Sequence, residues 1–344
     1  GSYAGLKANV ILSIANDPAA PQTLYASVLE RGVFKSVNSG VSWSIVRNGL
    51  PSKTINQLAF RPGNSHVLYA ATADAGLYLT NNGGESWLPR NNGLPQTAIE
   101  SSEEGRQDDG IGFNHPSYGW MDPVDIEALQ VAMDDQPSHV QGGSYPEILM
   151  VQFNPVKPSE MFIGTSGKGI FKSDDAGQTW LATGLSTGDV HDSVVDLSRL
   201  TYVYHVGAVD AGVLGSDLPR TTWSARNGGF PHGADVYGLS MGVPGVYFAA
   251  SDQGIYRTKN GGGAWSRVGL SSLLFNDIFA NPDQPNEVWA ASSEGLYRSM
   301  DGGAQWSVMG TYNLNNQFLT IARGYGDYAV YFGMSGGNIF RIEQ

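Results

Sequence analysis

An eight-residue motif occurs five times in this chain and restricts the folds that are open to it. Its copies are residues 36–43 (SVNSGVSW), 80–87 (TNNGGESW), 173–180 (SDDAGQTW), 258–265 (TKNGGGAW) and 299–306 (SMDGGAQW). Every copy begins with Ser or Thr and has Gly fifth, with Asn or Asp third (Asn38, Asn82, Asp175, Asn260, Asp301) and Trp last (Trp43, Trp87, Trp180, Trp265, Trp306). The Asn or Asp side chain can bond the backbone two residues on, Gly tolerates positive φ, and Trp gives a large apolar face. The motif therefore predicts five β-hairpins in which the Trp begins the returning strand.

The hairpin motif lies within a longer repeat of about forty residues, a period typical of propellers and solenoids. The repeats cover about 11–51, 55–95, 147–186, 194–231, 236–271, 275–313 and 318–344. Each reads as four short strands separated by Gly or Pro. The fourth repeat lacks the motif but keeps Trp223, and the seventh stops after its third strand. The pattern predicts an all-β, seven-bladed β-propeller in a single domain, 1–344, whose last blade has a short fourth strand from the N-terminus or only three strands.

Residues 96–146 fit none of the repeats and are inserted between the second and the third. The segment opens with a group of acids, namely Glu100, Glu103, Glu104, Asp108 and Asp109, and continues with the aromatic stretch 113–120 (FNHPSYGW). Asp122 and Pro123 suit the N-cap and the first position of a helix, and apolar residues follow at helical spacing as far as Met133. A connection of this length is usually functional or disordered. We therefore expect one partly helical loop insertion that caps one face of the propeller.

Composition excludes several classes of function. The chain of 344 residues has a net charge of −12, and without a basic stripe it is not expected to bind nucleic acid. It has no cysteine, which excludes disulfides, thiol catalysis and zinc sites with cysteine ligands. No apolar run is long enough to span a membrane, and no Asp-x-Asp-x-Asp calcium loop is present. The sequence therefore predicts neither a metal site nor a cofactor.

The five motifs resemble the Asp-box, or BNR repeat, of β-propellers. The repeats are similar to those of xyloglucanase-type glycosidases, sortilin-type receptors and the seven-bladed photosystem II assembly factor. The resemblance implies that the motif residues are structural and lie on outer hairpins, away from the face that binds ligands. It also implies an exported bacterial protein, extracellular or periplasmic, from which a leader has been removed.

In propellers of this kind, the loops before each inner strand and between the second and third strands form the top face. Applied to this sequence, that geometry places an acidic group of residues with two aromatic ones in a single candidate ligand site. The candidate residues are Asp74, Tyr118, Trp120, His191, Asp192, Asp235 and Asp252. Ordinary solvated loop charge explains such a group equally simply, and the functional alternatives are a cation, a basic partner or a sugar stacked on the aromatic rings.

An enzymatic function is the alternative to binding. Asp192 and Asp235 begin consecutive inner strands, and a glycosidase needs two carboxyl groups roughly 5–9 Å apart, so these two are the candidate acid and base. A sialidase is not favoured, because Arg257 and Arg298 share one repeat position and the Phe/Tyr-Arg-Ile-Pro motif is absent. Xyloglucanase-type enzymes place two propellers face to face, whereas this chain has repeats for only one.

The sequence therefore favours an exported, non-enzymatic binding or assembly module that holds a protein partner or a glycan on its top face. The alternative is a glycoside hydrolase that acts on polysaccharide.

Overall fold

A computed structural model describes residues 2–3, 6, 9–96, 114–115, 119–120, 144–186, 188–197, 203–217, 222–270, 273–311, 317–324 and 329–343. The chain divides into two compact units. The first unit contains residues 1–95 and 145–344, and the second contains residues 96–144. In the second unit the described strands are β10 (Asn114–His115) and β11 (Gly119–Trp120), which pair as an antiparallel hairpin.

The described residues of the first unit form seven four-stranded antiparallel sheets, which we call blades 1 to 7. The chain starts with β1 (Ser2–Tyr3). Blade 1 contains β2 (Ile11–Asn16), β3 (Leu24–Val28), β4 (Gly32–Ser36) and β5 (Ser44–Ile45). Blade 2 contains β6 (Ile55–Arg61), β7 (Asn64–Thr72), β8 (Leu77–Thr80) and β9 (Leu88–Pro89). Blade 3 contains β12 (Ile148–Phe153), β13 (Met161–Thr165), β14 (Ile170–Ser173) and β15 (Leu181–Ala182).

The remaining four blades follow in chain order. Blade 4 contains β16 (Val190–Asp196), β17 (Val203–Ala208), β18 (Gly212–Asp217) and β19 (Ser224–Ala225). Blade 5 contains β20 (Val236–Val243), β21 (Val246–Ser251), β22 (Gly254–Thr258) and β23 (Trp265–Arg267). Blade 6 contains β24 (Phe275–Ala280), β25 (Val288–Ser292), β26 (Gly295–Ser299) and β27 (Ser307–Thr311). Blade 7 contains β28 (Phe318–Arg323), β29 (Val330–Met334), β30 (Ile339–Ile342) and, as its outer strand, β1.

Blade 7 is closed by the N-terminal part of the chain. Ser2 pairs with Phe340 and Tyr3 with Ile339, so β1 lies beside β30 as a short fourth strand. The all-β, seven-bladed propeller predicted from the repeats is thus confirmed. The helix expected from Asp122 to Met133 lies outside the described residues.

The hydrophobic core consists of layers between neighbouring blades. The buried apolar residues form seven clusters, and each cluster joins side chains from two adjacent blades. Between blades 2 and 3, for example, Tyr69 and Leu79 pack with Ile163 and Trp180. Since a blade buries its faces only against its neighbours, all seven layers depend on closure of the ring.

The motif tryptophans connect blades at the outside of the ring, which we call the outer belt. The indole Nε1 of Trp87 donates to the Val46 carbonyl of blade 1, and that of Trp180 donates to the Arg90 carbonyl of blade 2. Trp265 and Trp306 make the same bond to the preceding blade. Trp43 differs, because its indole donates within its own turn, to the Gly40 carbonyl.

Each of the five motif turns is held by the same hydrogen bonds, as the third copy illustrates. The buried Ser173 hydroxyl donates to Asp175 and accepts from the amides of Asp175 and Gly177. Asp175 Oδ1 accepts from the amide of Thr179, four residues on, at 2.8 Å. The sequence predicted a bond two residues on, but here the first-position hydroxyl makes that bond, and the carboxylate closes the larger loop.

Candidate functional site

The antiparallel topology gives the propeller two distinct ends. The first residue of each inner strand pairs with the last residue of the second strand, as Ile11 does with Val28. The starts of the inner strands and the turns between second and third strands therefore share one end, which we call the top. The turns between first and second strands and the motif turns share the other end, the bottom.

At the top of blades 4 and 5, three aspartates form one hydrogen-bonded group, in which Asp210 takes part through its backbone amide. Asp235 Oδ1 accepts from the amide of Asp210 at 2.7 Å, and the amide of Asp235 donates to Asp252 Oδ1 at 3.0 Å. Asp210 is exposed, while Asp235 and Asp252 are partly exposed. Asp210 holds a left-handed backbone conformation with φ of 60°, which Asp tolerates better than most residues. The turn thus directs its amide toward the neighbouring blade.

Two aromatic rings lie beside these carboxyl groups. The Tyr237 hydroxyl donates to Asp235 Oδ2 at 3.4 Å, and the His191 ring meets the Tyr237 ring edge-on with centroids 5.5 Å apart. Burial, followed by the negative charges of Asp235 and Asp252, raises the pKa of the Tyr237 hydroxyl. Burial also raises the pKa of Asp252, and the charge of Asp235 adds to that effect. The structure therefore brings together three of the predicted site residues, His191, Asp235 and Asp252, at blades 4 and 5.

Asp192 does not share this hydrogen-bonded group. Asp192 comes directly after the register shift that follows the first residue pair of β16. Its carboxylate joins blade 4 to blade 5. Oδ1 accepts from the amide of Ser193 and Oδ2 from the amide of Leu239 in β20, each at 2.7 Å. Burial raises the pKa of Asp192 to about 7. No hydrogen bond joins Asp192 to Asp235, so the two candidate acid–base residues have separate partners.

The equivalent position of blade 6 holds an acid that the sequence analysis missed. Asp277 Oδ1 accepts from the amide of Ile278 and Oδ2 from the amide of Ile321 in β28, each at 2.7 Å. Burial raises the pKa of Asp277 to about 8, and the negative charge of Asp192 contributes to the increase. Asp277 lies two residues after the first residue of its inner strand. All seven blades have this position, but different residue types occupy it.

That shared position defines an inner ring. Every inner strand has a register shift just after its first residue, and the residue that follows the shift belongs to the ring. Its members, in blade order, are Ser13, Gln57, Met150, Asp192, Gly238, Asp277 and Thr320. Ser13 Oγ accepts from the amide of Leu58, as Asp192 does from Leu239, so the ring caps amides on the free edges of the inner strands.

The other predicted site residues lie elsewhere or outside the described part of the chain. Asp74 lies exposed in the top turn of blade 2, where its charge helps raise the pKa of Tyr78 after burial and Tyr145. Tyr118 lies outside the described residues. Trp120 is the last residue of β11 and pairs with Asn114 in β10. The structure therefore does not place these three residues with the blade 4 and 5 group.

The two ends of the propeller differ in their ion pairs. Among the described residues, the ion pairs occur at the bottom or beside it, and they are Lys157–Glu160, Lys157–Asp174, Lys172–Glu160, Lys172–Asp174, Arg298–Glu287, Arg323–Asp283 and Arg341–Glu343. At the top, Asp210, Asp235 and Asp252 form no ion pair with a described Lys or Arg. These three aspartates are therefore not paired with a cation within the described part of the propeller.

Two further searches of the described residues concern metals and membranes. No group of three or more His, Asp or Glu side chains there has the arrangement of a metal site. The described residues contain no helix that is long and apolar enough to cross a bilayer.

Comparison with known proteins establishes the fold. No family model matches the chain, and a search of curated protein sequences gives no match. Among solved structures, YCF48 from Cyanidioschyzon merolae is 12% identical with a TM-score of 0.62, over 98% of this chain and 96% of YCF48. A structure of YCF48 bound to D1 peptide is 16% identical, with a TM-score of 0.62 and coverage of 98% and 94%.

Enzymes with the same fold are also similar. The GH74 xyloglucanase from Xanthomonas campestris is 15% identical with a TM-score of 0.68, over 98% of this chain but only 52% of the enzyme. An ancestral GH74 enzyme is 16% identical with a TM-score of 0.70, and this chain covers 45% of it. At these identities the likeness establishes the propeller fold, and function has to be argued from the site.

Proposed function

We propose that this chain is a non-enzymatic propeller whose top face binds a protein partner through basic side chains of that partner. The observation that carries the proposal is the difference in ion pairing between the two ends. At the bottom, Glu160, Glu287 and Asp283 are paired with Lys or Arg. At the top, Asp235 and Asp252 accept hydrogen bonds from neutral donors, and neither they nor the exposed Asp210 forms an ion pair with a described Lys or Arg. A partner's Lys or Arg would supply the missing positive charge and form charge-assisted hydrogen bonds.

Two comparisons support binding rather than catalysis. The chain covers 96% of YCF48, and a related structure of that protein is bound to a peptide. By contrast, it covers about half of each GH74 enzyme. The proposal also takes the five motif turns to be Asp-boxes and the protein to be exported, as the resemblance of the motifs implies.

Peptide binding tests the proposal directly. The probes are twelve-residue peptides with four Lys or Arg residues, compared with peptides in which those residues are replaced by Gln. We expect the basic peptides to bind with an affinity that falls as salt rises, because exposed charges are screened. Equal binding of both sets of peptides would contradict the proposal.

Charge-neutralising variants locate the binding surface. The triple variant Asp210→Asn, Asp235→Asn and Asp252→Asn should weaken binding of the basic peptides by at least about tenfold, the change given by 1.4 kcal/mol. The matched control, Asp174→Asn, Asp283→Asn and Glu343→Gln, removes the same charge from the bottom and should leave binding unchanged. Equal losses in the two triple variants would indicate a general effect of net charge and not a top-face site.

A glycoside hydrolase is the second candidate, and one observation favours it. Asp192 combines a pKa raised to about 7 with a position in an inner strand, and shifted pKa values are frequent at catalytic sites. Both of its oxygens, however, accept backbone amides, which gives the residue a structural role. The test is release of reducing sugar from a panel of polysaccharides that includes xyloglucan. Release by the wild type that is lost in Asp192→Asn would support a glycoside hydrolase. No release from any polysaccharide would exclude those substrates.

A further inference from the structure

One motif turn contains an Asn-Gly pair whose glycine amide has no hydrogen-bond partner. In the other four copies, the amide at the fourth motif position donates to a carbonyl in the turn between the first and second strands of its own blade. These donors are Ser39, Ala176, Gly261 and Gly302. Gly83 is the equivalent residue of blade 2, and its amide donates to no acceptor within the described part of the chain. The side chain of the preceding residue, Asn82, is exposed. A nitrogen that is free to act as a nucleophile therefore follows an accessible side-chain amide.

The surroundings of this pair favour attack of the glycine nitrogen on the side-chain amide. Asn82 Oδ1 accepts from the Thr80 hydroxyl at 2.8 Å and from the Ser86 amide at 3.0 Å. Two donors stabilise the negative charge that this oxygen gains when a nucleophile adds to Cγ. Lys35 of blade 1 donates to the Gly83 carbonyl at 3.1 Å, so a cation lies beside the glycine. Its positive charge favours loss of the proton from the Gly83 nitrogen, and glycine has no Cβ to obstruct the attack.

We propose that Asn82 deamidates spontaneously, helped by the free Gly83 amide and by Lys35, and that the folded turn retains the aspartate that forms. The Gly83 nitrogen gives up its proton to a solvent base and attacks Asn82 Cγ, which closes a cyclic succinimide. The Cγ–Nδ2 bond breaks, and Nδ2 takes up a proton and leaves as ammonia. Water then opens the imide, and its addition at Cγ gives aspartate, whereas its addition at the main-chain carbonyl carbon gives isoaspartate. The inference concerns the bottom of the propeller and does not depend on the proposed binding function.

The turn of blade 2 is suited to hold the aspartate product. In blade 3 the same motif position is already an aspartate, and the Thr179 hydroxyl donates to Asp175 Oδ2 at 2.6 Å. In blade 2 the Ser86 hydroxyl accepts from Asn82 Nδ2 at 2.9 Å, and a hydroxyl can donate as well as accept. If Ser86 reverses this bond and donates to the new carboxylate, the bond becomes charge-assisted and therefore stronger. Deamidation at Asn82 should thus leave the turn intact.

Asn260 in blade 5 provides the matched control, because it is also exposed and followed by glycine. Its Oδ1 accepts from the same kinds of donor, the Thr258 hydroxyl at 2.8 Å and the Ala264 amide at 2.9 Å. The Gly261 amide, however, donates to the Gly245 carbonyl at 2.9 Å, and that bond must break before the nitrogen can attack. The alanine at position 264 also offers no hydroxyl to a new carboxylate. The two sites therefore share the Asn-Gly sequence but differ in the groups that the proposal requires.

Mass spectrometry of the folded protein tests the proposal. The chain is incubated at mildly alkaline pH and digested, and the exchange of NH2 for OH is followed in the peptides that contain Asn82 and Asn260. We expect Asn82 to react at least about tenfold faster, since breaking the hydrogen bond of Gly261 raises the barrier at Asn260. No reaction at Asn82, or a rate no higher than that of Asn260, would overturn the proposal. A ratio that persists in urea would do so too, because it would come from the neighbouring sequence and not from the fold.

Two variants test the remaining parts of the proposal. Lys35→Met removes the cation but keeps much of the apolar stem, and it should slow the reaction at Asn82 without changing that at Asn260. An unchanged rate at Asn82 would contradict the role of Lys35. Asn82→Asp reproduces the product, and its unfolding midpoint in urea should equal or exceed that of the wild type. A clearly lower midpoint would show that the turn does not retain aspartate.

Discussion

The bottom and the top of the propeller use their charged residues differently. At the bottom, Glu287 is fully buried and Arg298 pairs with it, and Asp175 closes a motif turn. At the top, the Asp210 amide donates to the Asp235 carboxylate and the Asp235 amide donates to the Asp252 carboxylate, so neither carboxylate meets a described cation. These acids at the bottom have partners within the fold, whereas those at the top form no ion pair with a described Lys or Arg, which is why we propose them as binding residues. Substitutions at the bottom should therefore lower stability, and substitutions at the top should lower binding.

The largest loss of stability is expected at the outer belt, next to the bottom turns. Trp180 is 1% exposed, packs between blades 2 and 3, and donates to the Arg90 carbonyl. Trp180→Ala should cost about 3–5 kcal/mol, the usual range for removing a large buried aromatic ring. Urea unfolding followed by tryptophan fluorescence measures the change.

Trp43 provides the matched control for Trp180. It is only partly buried, and its indole donates to the Gly40 carbonyl of its own turn. Trp43→Ala should therefore cost clearly less than Trp180→Ala. Equal costs would mean that the bond to the preceding blade contributes nothing to the belt.

The outer belt was predictable from sequence because its residues recur. The same four residue types recur at fixed spacing, namely Ser or Thr, Asn or Asp, Gly, and Trp. Each has a local structural role that is the same in every blade. Seven repeats of that period were enough to predict the propeller, including blade 4, which keeps only Trp223. The bond from Trp180 to Arg90 was not predictable, because it joins residues 90 positions apart.

The inner ring was not predictable for the opposite reason. Its seven positions hold serine, glutamine, methionine, aspartate, glycine, aspartate and threonine, so no periodic signal marks them. The sequence singled out Asp192 only as an acid near the top, and it did not single out Asp277. Their role depends on which amide the next blade presents and on the close approach of blades 5 and 6 at Gly238, and both are properties of the assembled ring.

A smaller loss, with a different physical cause, is expected at the buried ion pair of blade 6. Glu287 accepts from Arg298 Nε at 2.8 Å, and the guanidinium lies 4.9 Å from the Trp289 ring centroid. Arg298→Met keeps much of the apolar stem but leaves a buried carboxylate without its cation, which should cost about 3 kcal/mol. Arg323→Met is the control, because its partner Asp283 is 43% exposed, and it should change stability by less than about 1 kcal/mol. A comparable loss in both variants would show that burial of the pair is unimportant.

A motif turn should contribute less than the buried pair. Asp175 accepts from the Thr179 hydroxyl at 2.6 Å and from the Thr179 amide, and these bonds, led by the hydroxyl, lower its pKa to about 2. Asp175→Ala should cost about 1–2 kcal/mol, since it leaves the turn with fewer hydrogen bonds. Because the pKa is lowered on folding, this stabilisation is present above about pH 4 and is lost as the pH falls toward 2. Asp174→Ala, one residue earlier on the exposed surface, should have a smaller effect and serves as the control in the same urea titration.

The smallest change in stability is expected at the top, where the largest change in binding is also expected. In Asp252→Asn the amide oxygen can still accept from the Asp235 amide, which is the bond that positions the turn. The substitution also removes a carboxylate whose pKa burial has raised, so its negative charge opposes folding at neutral pH. Stability should therefore stay within about 0.5 kcal/mol of the wild type or rise slightly, while the affinity for basic peptides falls. A variant that unfolds as readily as Arg298→Met would place Asp252 among the structural acids, and the difference between the two ends would no longer distinguish binding residues from structural ones.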